Sequence, residues 1–338
     1  FLNLCDDYPS NSITQLAQFH LGNIYYTQKK FDKAIAAYAK VDLFDLTDNE
    51  KTDYKFRFGY CYFSKQDYTK ALPFFEQVKD LESPYYLSAN YYYAYICYTK
   101  KNYNDALSSF KLLEGSKQYA AVLPYYISNI YFLQKKYQQA IDYAEPKLND
   151  ATLSYKSELQ QLVGKSYFNL ENYQAALPLL SSWFKTSTLN TKGDIYQIAY
   201  CQYMTGKYDD ASYNFLQLNS QTDSIGQNAL YMLGNCYMKM NQKEKARNAF
   251  QSAAKFSFDK FISENAAFNF AKLNVELGYN DLAISTLQNF SSTFPTSSHN
   301  TEAKELLTQV FLNTNNYVEA LKVIETINPK SADIKKAY

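Results

Sequence analysis

Glycine and proline are scarce in this chain, 9 and 8 among 338 residues. That excludes collagen-like and low-complexity architectures and fits helices joined by short turns. Histidine is scarcer still: His20 and His299 are the only two. A histidine-based catalytic triad or metal centre therefore has little to draw on. The five cysteines, Cys5, Cys61, Cys97, Cys201 and Cys236, are far apart and form no CxxC pair. They read as small buried side chains. Net charge is also missing: 34 Lys and Arg stand against 33 Asp and Glu. A dedicated nucleic-acid binder would carry a basic excess, so no nucleic-acid partner is expected. No apolar run approaches the roughly 18 residues that span a bilayer, so no direct membrane insertion is expected. The phosphate-loop, dinucleotide, HExxH and GxSxG patterns are absent. Glu302 and Glu305 lie three apart on one predicted helix and do not form a facing carboxylate pair. The expectation is a chain that is not an enzyme, with no cofactor, no metal site and no catalytic residues.

What the chain has in abundance is tyrosine, 35 of them, with 23 phenylalanines. It also has internal repetition. Ala106 has Tyr103 three residues before it and Phe110 four after it. The same frame returns at Ala34, Ala71, Ala140, Ala176, Ala211, Ala246, Ala283 and Ala320, at intervals of 34 to 37 residues. Twelve residues before each alanine a small residue is usual, as at Gly22, Gly59, Ala94 and Gly234. Nine before it tyrosine recurs, as at Tyr25, Tyr62, Tyr131, Tyr167 and Tyr237. Apolar residues at three- and four-residue spacing predict two amphipathic helices per unit. Small residues at their crossing let the backbones approach closely. Thr47 and Glu50 form a capping-box pattern, and Asn102 and Asn172 stand where second helices should begin. Pro73 and Pro178 fall near the start of those second helices, where they should be tolerated.

The order small residue, tyrosine, alanine, aromatic, at a period near 34, resembles the tetratricopeptide repeat (TPR) family. "HLGNIYYTQKKFDKAIAAY" (20–38) and "MLGNCYMKMNQKEKARNAF" (232–250) carry the resemblance most closely. The usual leading tryptophan is absent, and the single one, Trp183, sits elsewhere in its unit. The resemblance implies an all-α, right-handed solenoid of about nine helix-turn-helix units over residues 1–338. Residues 1–10 would then be the tail of a preceding repeat and 331–338 the start of a following one. The "FPTSS" linker (294–298) and units such as "YFLQKKYQQAI" (131–141) are similar to bacterial cell-envelope TPR proteins. This favours a periplasm-facing location, with the cytoplasm as the alternative.

In that family the first helix of each pair, helix A, lines a concave groove. Positions fifteen, eleven and eight before the anchor alanine share one helical face. The first of these holds Phe19, Phe56, Tyr91, Tyr125, Tyr196 and Tyr231. The second holds Asn23, Tyr60, Tyr95, Asn129, Tyr200 and Asn235, and the third includes Tyr98 and Tyr203. These residues are the expected ligand groove. Exposed tyrosine and asparagine suit an extended peptide, with rings covering side chains and amides meeting the backbone. Family members that clamp a C-terminal carboxylate want lysine four residues before the asparagine. Here those positions hold Phe19, Tyr125 and Tyr231, so no carboxylate clamp is expected. The reading is a non-catalytic scaffold for a protein or peptide partner, with a glycan-binding module as the alternative.

Overall fold

A computed structural model describes residues 12–188 and 190–327. The expected repeat fragments at 1–10 and 331–338 lie outside them. The described residues form eighteen α-helices in nine successive pairs. The first four pairs are α1 (Ser12–Thr27) with α2 (Phe31–Tyr38), α3 (Asp48–Ser64) with α4 (Tyr68–Glu76), α5 (Tyr86–Thr99) with α6 (Tyr103–Leu112), and α7 (Leu123–Leu133) with α8 (Tyr137–Ala144). Then come α9 (Lys156–Asn169) and α10 (Tyr173–Thr186), α11 (Lys192–Met204) and α12 (Tyr208–Leu216), and α13 (Ser224–Lys239) and α14 (Lys243–Ala254). The last two pairs are α15 (Lys260–Glu276) with α16 (Asn280–Thr293) and α17 (Asn300–Asn313) with α18 (Tyr317–Ile324). The helices are grouped in two compact units that divide between residues 166 and 167.

Each anchor alanine is fully buried where its helix B crosses helix A. The small residue of helix A permits that crossing. A Cβ added to Gly234 would stand 2.6 Å from the ring of Phe250, and one added to Gly22 would stand 2.5 Å from Tyr38. The ring four residues after the alanine fills the adjoining space: Tyr38, Phe75, Phe110, Phe215 and Phe250 are essentially inaccessible. Truncating one such ring to alanine costs about 3–5 kcal/mol in cores of this kind.

The turn from helix A to helix B is the same in all nine pairs. The residue five before the alanine has a positive φ: Lys29, Gln66, Lys101, Lys135, Glu171, Gly206, Asn241, Gly278 and Asn315. In the fourth pair Lys135 N–H donates to Phe132 O at 2.9 Å and Lys136 N–H to Tyr131 O at 2.8 Å. This is a Schellman closure, which satisfies carbonyls left free at the helix end. Seven of the nine positions are filled by residues other than glycine, in a conformation that glycine adopts at least cost.

Caps set the helix starts. Thr47 and Glu50 close the expected capping box, with Glu50 N–H to Thr47 Oγ1 at 3.3 Å and Thr47 N–H to Glu50 Oε2 at 2.9 Å. A second box, Thr191 with Asp194, opens α11. Asn172 caps α10 through Ala175 N–H at 3.2 Å. Asn102 makes no such bond; its amide donates to Asp105 instead. Pro73 and Pro178 lie within α4 and α10 as their sixth residues, deeper than the sequence suggested. Each removes one helical N–H donor.

Candidate ligand-binding face

The helix A positions expected to form a groove divide into different roles. Of the residues fifteen before the alanine, Phe19 and Phe56 are core, 2% and 6% exposed. Tyr91, Tyr125, Tyr196 and Tyr231 are half-buried. Four members of this row share a cause. Each ring lies against the aromatic four after the anchor of its own pair: Phe56 on Phe75 (5.9 Å), Tyr91 on Phe110 (6.1 Å), Tyr196 on Phe215 (5.5 Å) and Tyr231 on Phe250 (5.6 Å). Phe56 is covered further by Tyr85, stacked at 4.3 Å, and Tyr91 by Tyr119 at 4.6 Å. This row seals helix A against helix B while leaving the tyrosine members partly open.

The row eleven before the alanine is half-buried throughout its expected members, Asn23, Tyr60, Tyr95, Asn129, Tyr200 and Asn235. Tyr95 meets Phe63 at 5.6 Å and 71°, Tyr68 at 6.2 Å and 71°, and Tyr126 at 5.9 Å and 82°. Tyr60 sits edge-on to Tyr26 at 5.6 Å and to Tyr92 at 5.2 Å. In the second unit Tyr200 meets Phe168 at 5.8 Å and Tyr173 at 5.5 Å. These geometries are edge-to-face, the arrangement that ring quadrupoles favour.

In the third row, Tyr98 lies 6.3 Å from Tyr103 and Tyr203 lies 5.5 Å from Tyr208. Both pairs bridge the end of helix A to the start of helix B. Phe63 with Tyr68, Phe132 with Tyr137 and Phe168 with Tyr173 repeat the contact. Burial pushes the Tyr98 and Tyr196 hydroxyls up to about 12.

The asparagines are held by neighbours. Asn129 donates to the Tyr98 hydroxyl at 2.6 Å and lies 3.4 Å from that of Tyr125. Asn23 accepts from the Tyr38 hydroxyl at 2.6 Å and donates to Asp53 at 3.4 Å. Asn235 has only a long contact, 3.9 Å, to Met232 Sδ.

Asp53 is the centre of a cluster that pattern reading overlooked. Arg57 Nε donates to it at 2.6 Å, and the Tyr85 hydroxyl donates to the same carboxylate. Arg57 also lies over the Tyr26 ring at 5.2 Å. The only signal in the sequence was an aspartate four residues before an arginine on a helix A. Farther along, Lys272 Nζ pairs with Glu302 at 2.7 Å, again linking successive A helices.

Other candidate chemistry is accounted for by packing. Cys61, Cys97, Cys201 and Cys236 are buried, and burial pushes the thiols of Cys61, Cys201 and Cys236 up to about 12. The His299 ring stacks on Phe268 at 4.3 Å. Among the described residues, no group of three or more His, Cys, Asp or Glu side chains could hold a metal ion. Nor is any helix there long and apolar enough to cross a membrane.

Family models described as tetratricopeptide repeat match residues 17–46, 52–85, 91–113 and 227–258. Each matched segment falls on one of the helix pairs defined above. These segments are tetratricopeptide repeats. Among solved structures similar to this chain is YrrB, described as a TPR protein with an unusual peptide-binding site. It is 23% identical, covers 59% of this chain and 96% of its own, and has a TM-score of 0.47. A TPR protein from Parabacteroides merdae is 15% identical over 78% of this chain and 99% of its own, with a TM-score of 0.44. The C-terminal part of a TPR protein from Cytophaga hutchinsonii is 14% identical over 84% and 98%, with a TM-score of 0.38. No curated protein matches the chain.

Proposed function

We propose that the chain is a non-catalytic interaction scaffold that holds an extended segment of a partner protein along the helix A face of its repeats. In the first unit the contact residues are Tyr60, Tyr91, Tyr95, Tyr98, Tyr125 and Asn129. In the second they are Tyr196, Tyr200, Tyr203, Tyr231 and Asn235. Phe19, Phe56 and Asn23 act behind this face, the first two as core and Asn23 through Tyr38 and Asp53.

The observation that carries the reading is the half-burial of this row combined with its edge-to-face packing. Tyr95 and Tyr200 are each held by three neighbouring rings, yet both remain only half-buried. A preordered surface of this kind loses little entropy when a peptide settles on it. The Asp53–Arg57 pair neutralises itself, leaving the face of the first unit without a free charge among these residues. An uncharged tyrosine-asparagine surface suits backbone amides and apolar side chains rather than a terminal carboxylate.

The same geometry weighs against the glycan alternative. Sugars stack on flat, open ring faces, and here many faces are turned toward the edges of neighbouring rings. The experiment is a paired screen of the purified chain against a displayed random-peptide library and a glycan array. The expected result is enrichment of uncharged peptides with no glycan signal. Retention of oligosaccharides alone would contradict the proposal.

A further inference from the structure

The two ends of the helix pairs in the first unit differ chemically. Successive helices run antiparallel, so turns within pairs lie at one edge and connections between pairs at the other. Three turns within pairs carry exposed lysines side by side, Lys29–Lys30, Lys100–Lys101 and Lys135–Lys136. At the opposite edge, two successive connections present an apolar side chain between carboxylates. Phe44 is 90% exposed between Asp42 and Asp45, and Leu81 is 41% exposed between Asp80 and Glu82.

The Phe44 connection is built, not slack. It is a single 3-10 turn, Leu43–Asp45. The Asp42 carboxylate accepts from Phe44 N–H at 2.9 Å, Leu46 N–H donates to Leu43 O at 3.3 Å, and the Leu46 side chain is buried. The backbone is thus fixed while a phenyl ring stands in water, the form of a preorganised interface anchor.

The other edge of the same unit holds a matching recess. Lys29, Lys30, Lys33 and Lys65 surround the half-buried ring of Phe31 in an open hollow of about 510 Å³. Asp32 is bonded to Lys65, so three lysine ammonium groups remain without a carboxylate on that rim. Lysine stems offer apolar walls beneath their charges. The carboxylates around Phe44 would be repelled by an anionic lipid surface and attracted by this rim.

We propose that a second copy of this chain docks Phe44 and its flanking carboxylates into the lysine-rimmed hollow at the opposite edge of the first unit. The contact joins unlike surfaces, so it is head-to-tail, and it leaves the helix A face free. It is separate from the peptide site proposed above.

The test is sedimentation velocity on the full chain across a concentration series at low and high salt. The expected result is self-association that weakens as salt screens the opposed charges. Phe44→Ala should weaken it about tenfold or more, with an unchanged melting curve because the ring is exposed. Lys30→Glu with Lys33→Glu should abolish it, as should Asp45→Lys in a separate chain. Mixing these two charge-reversed chains should restore association, since each then offers the other's complement. A chain that stays monomeric overturns the proposal, even if Phe44 captures lipid vesicles or another protein. Self-association indifferent to Phe44 and to salt overturns it as well.

Discussion

Along helix A the ring and the hydroxyl of a tyrosine serve different ends. The ring of Tyr98 bridges to Tyr103, while its hydroxyl accepts from Asn129. The hydroxyl proton is held more tightly in the folded chain than in the unfolded one, because burial disfavours the phenolate. Tyr98 and Tyr196, both raised to about 12, therefore contribute stability that is fully present below the unfolded value near 10. That contribution is lost as the pH rises through the folded value. Denaturant titrations paired with tyrosinate absorbance should show stability falling from about pH 10 towards pH 12, ahead of full ionisation of the folded chain. Stability flat across that interval would mean that the rings are open to water. The split between core and face was only partly legible at this scale. Spacing grouped Phe19 and Phe56 with Tyr91, but it could not register that Tyr85 comes to cover Phe56, because that contact crosses from one repeat to the next.

At the scale of the element, the repeat is defined by a crossing and a turn. The crossing was legible, because close approach leaves small residues and large rings at fixed intervals. The turn was not. Lysine, glutamine, glutamate and asparagine occupy its left-handed position in seven pairs, and glycine marks it only at Gly206 and Gly278. What enforces the conformation is the pair of backbone bonds behind it, not the side chain. It follows that Lys135→Gly should raise stability by about 0.5–1 kcal/mol, by removing the Cβ from a left-handed residue. The gain is limited by the greater freedom of glycine in the unfolded chain. Urea unfolding of the two chains measures it directly. A loss of stability would show that the Lys135 side chain does something the turn geometry does not require. The capping of α3 by Thr47 and Glu50 followed from sequence spacing, whereas the amide of Asn102 turned to Asp105, a choice spacing alone does not make.

At the scale of the whole molecule, nine copies of one frame, each anchored by a buried alanine, specify an all-α repeat architecture. The function follows less directly. Repeats stack through their helix A layers, as where α11 meets α13 and α13 meets α15, and the same layer offers the largest set of half-buried polar rings. Stacking and ligand binding therefore draw on one surface, and periodicity cannot separate them. Function is tested most directly by asking whether the two uses can be uncoupled. Tyr95→Ala combined with Tyr200→Ala removes one ring edge from each unit and leaves every anchor alanine and its partner ring in place. The decisive measurement is the affinity of a library-selected peptide for this double variant, by calorimetric titration, beside its melting curve. The account predicts a loss of affinity of about tenfold or more with cooperative unfolding retained. Unchanged affinity in a folded double variant would contradict it.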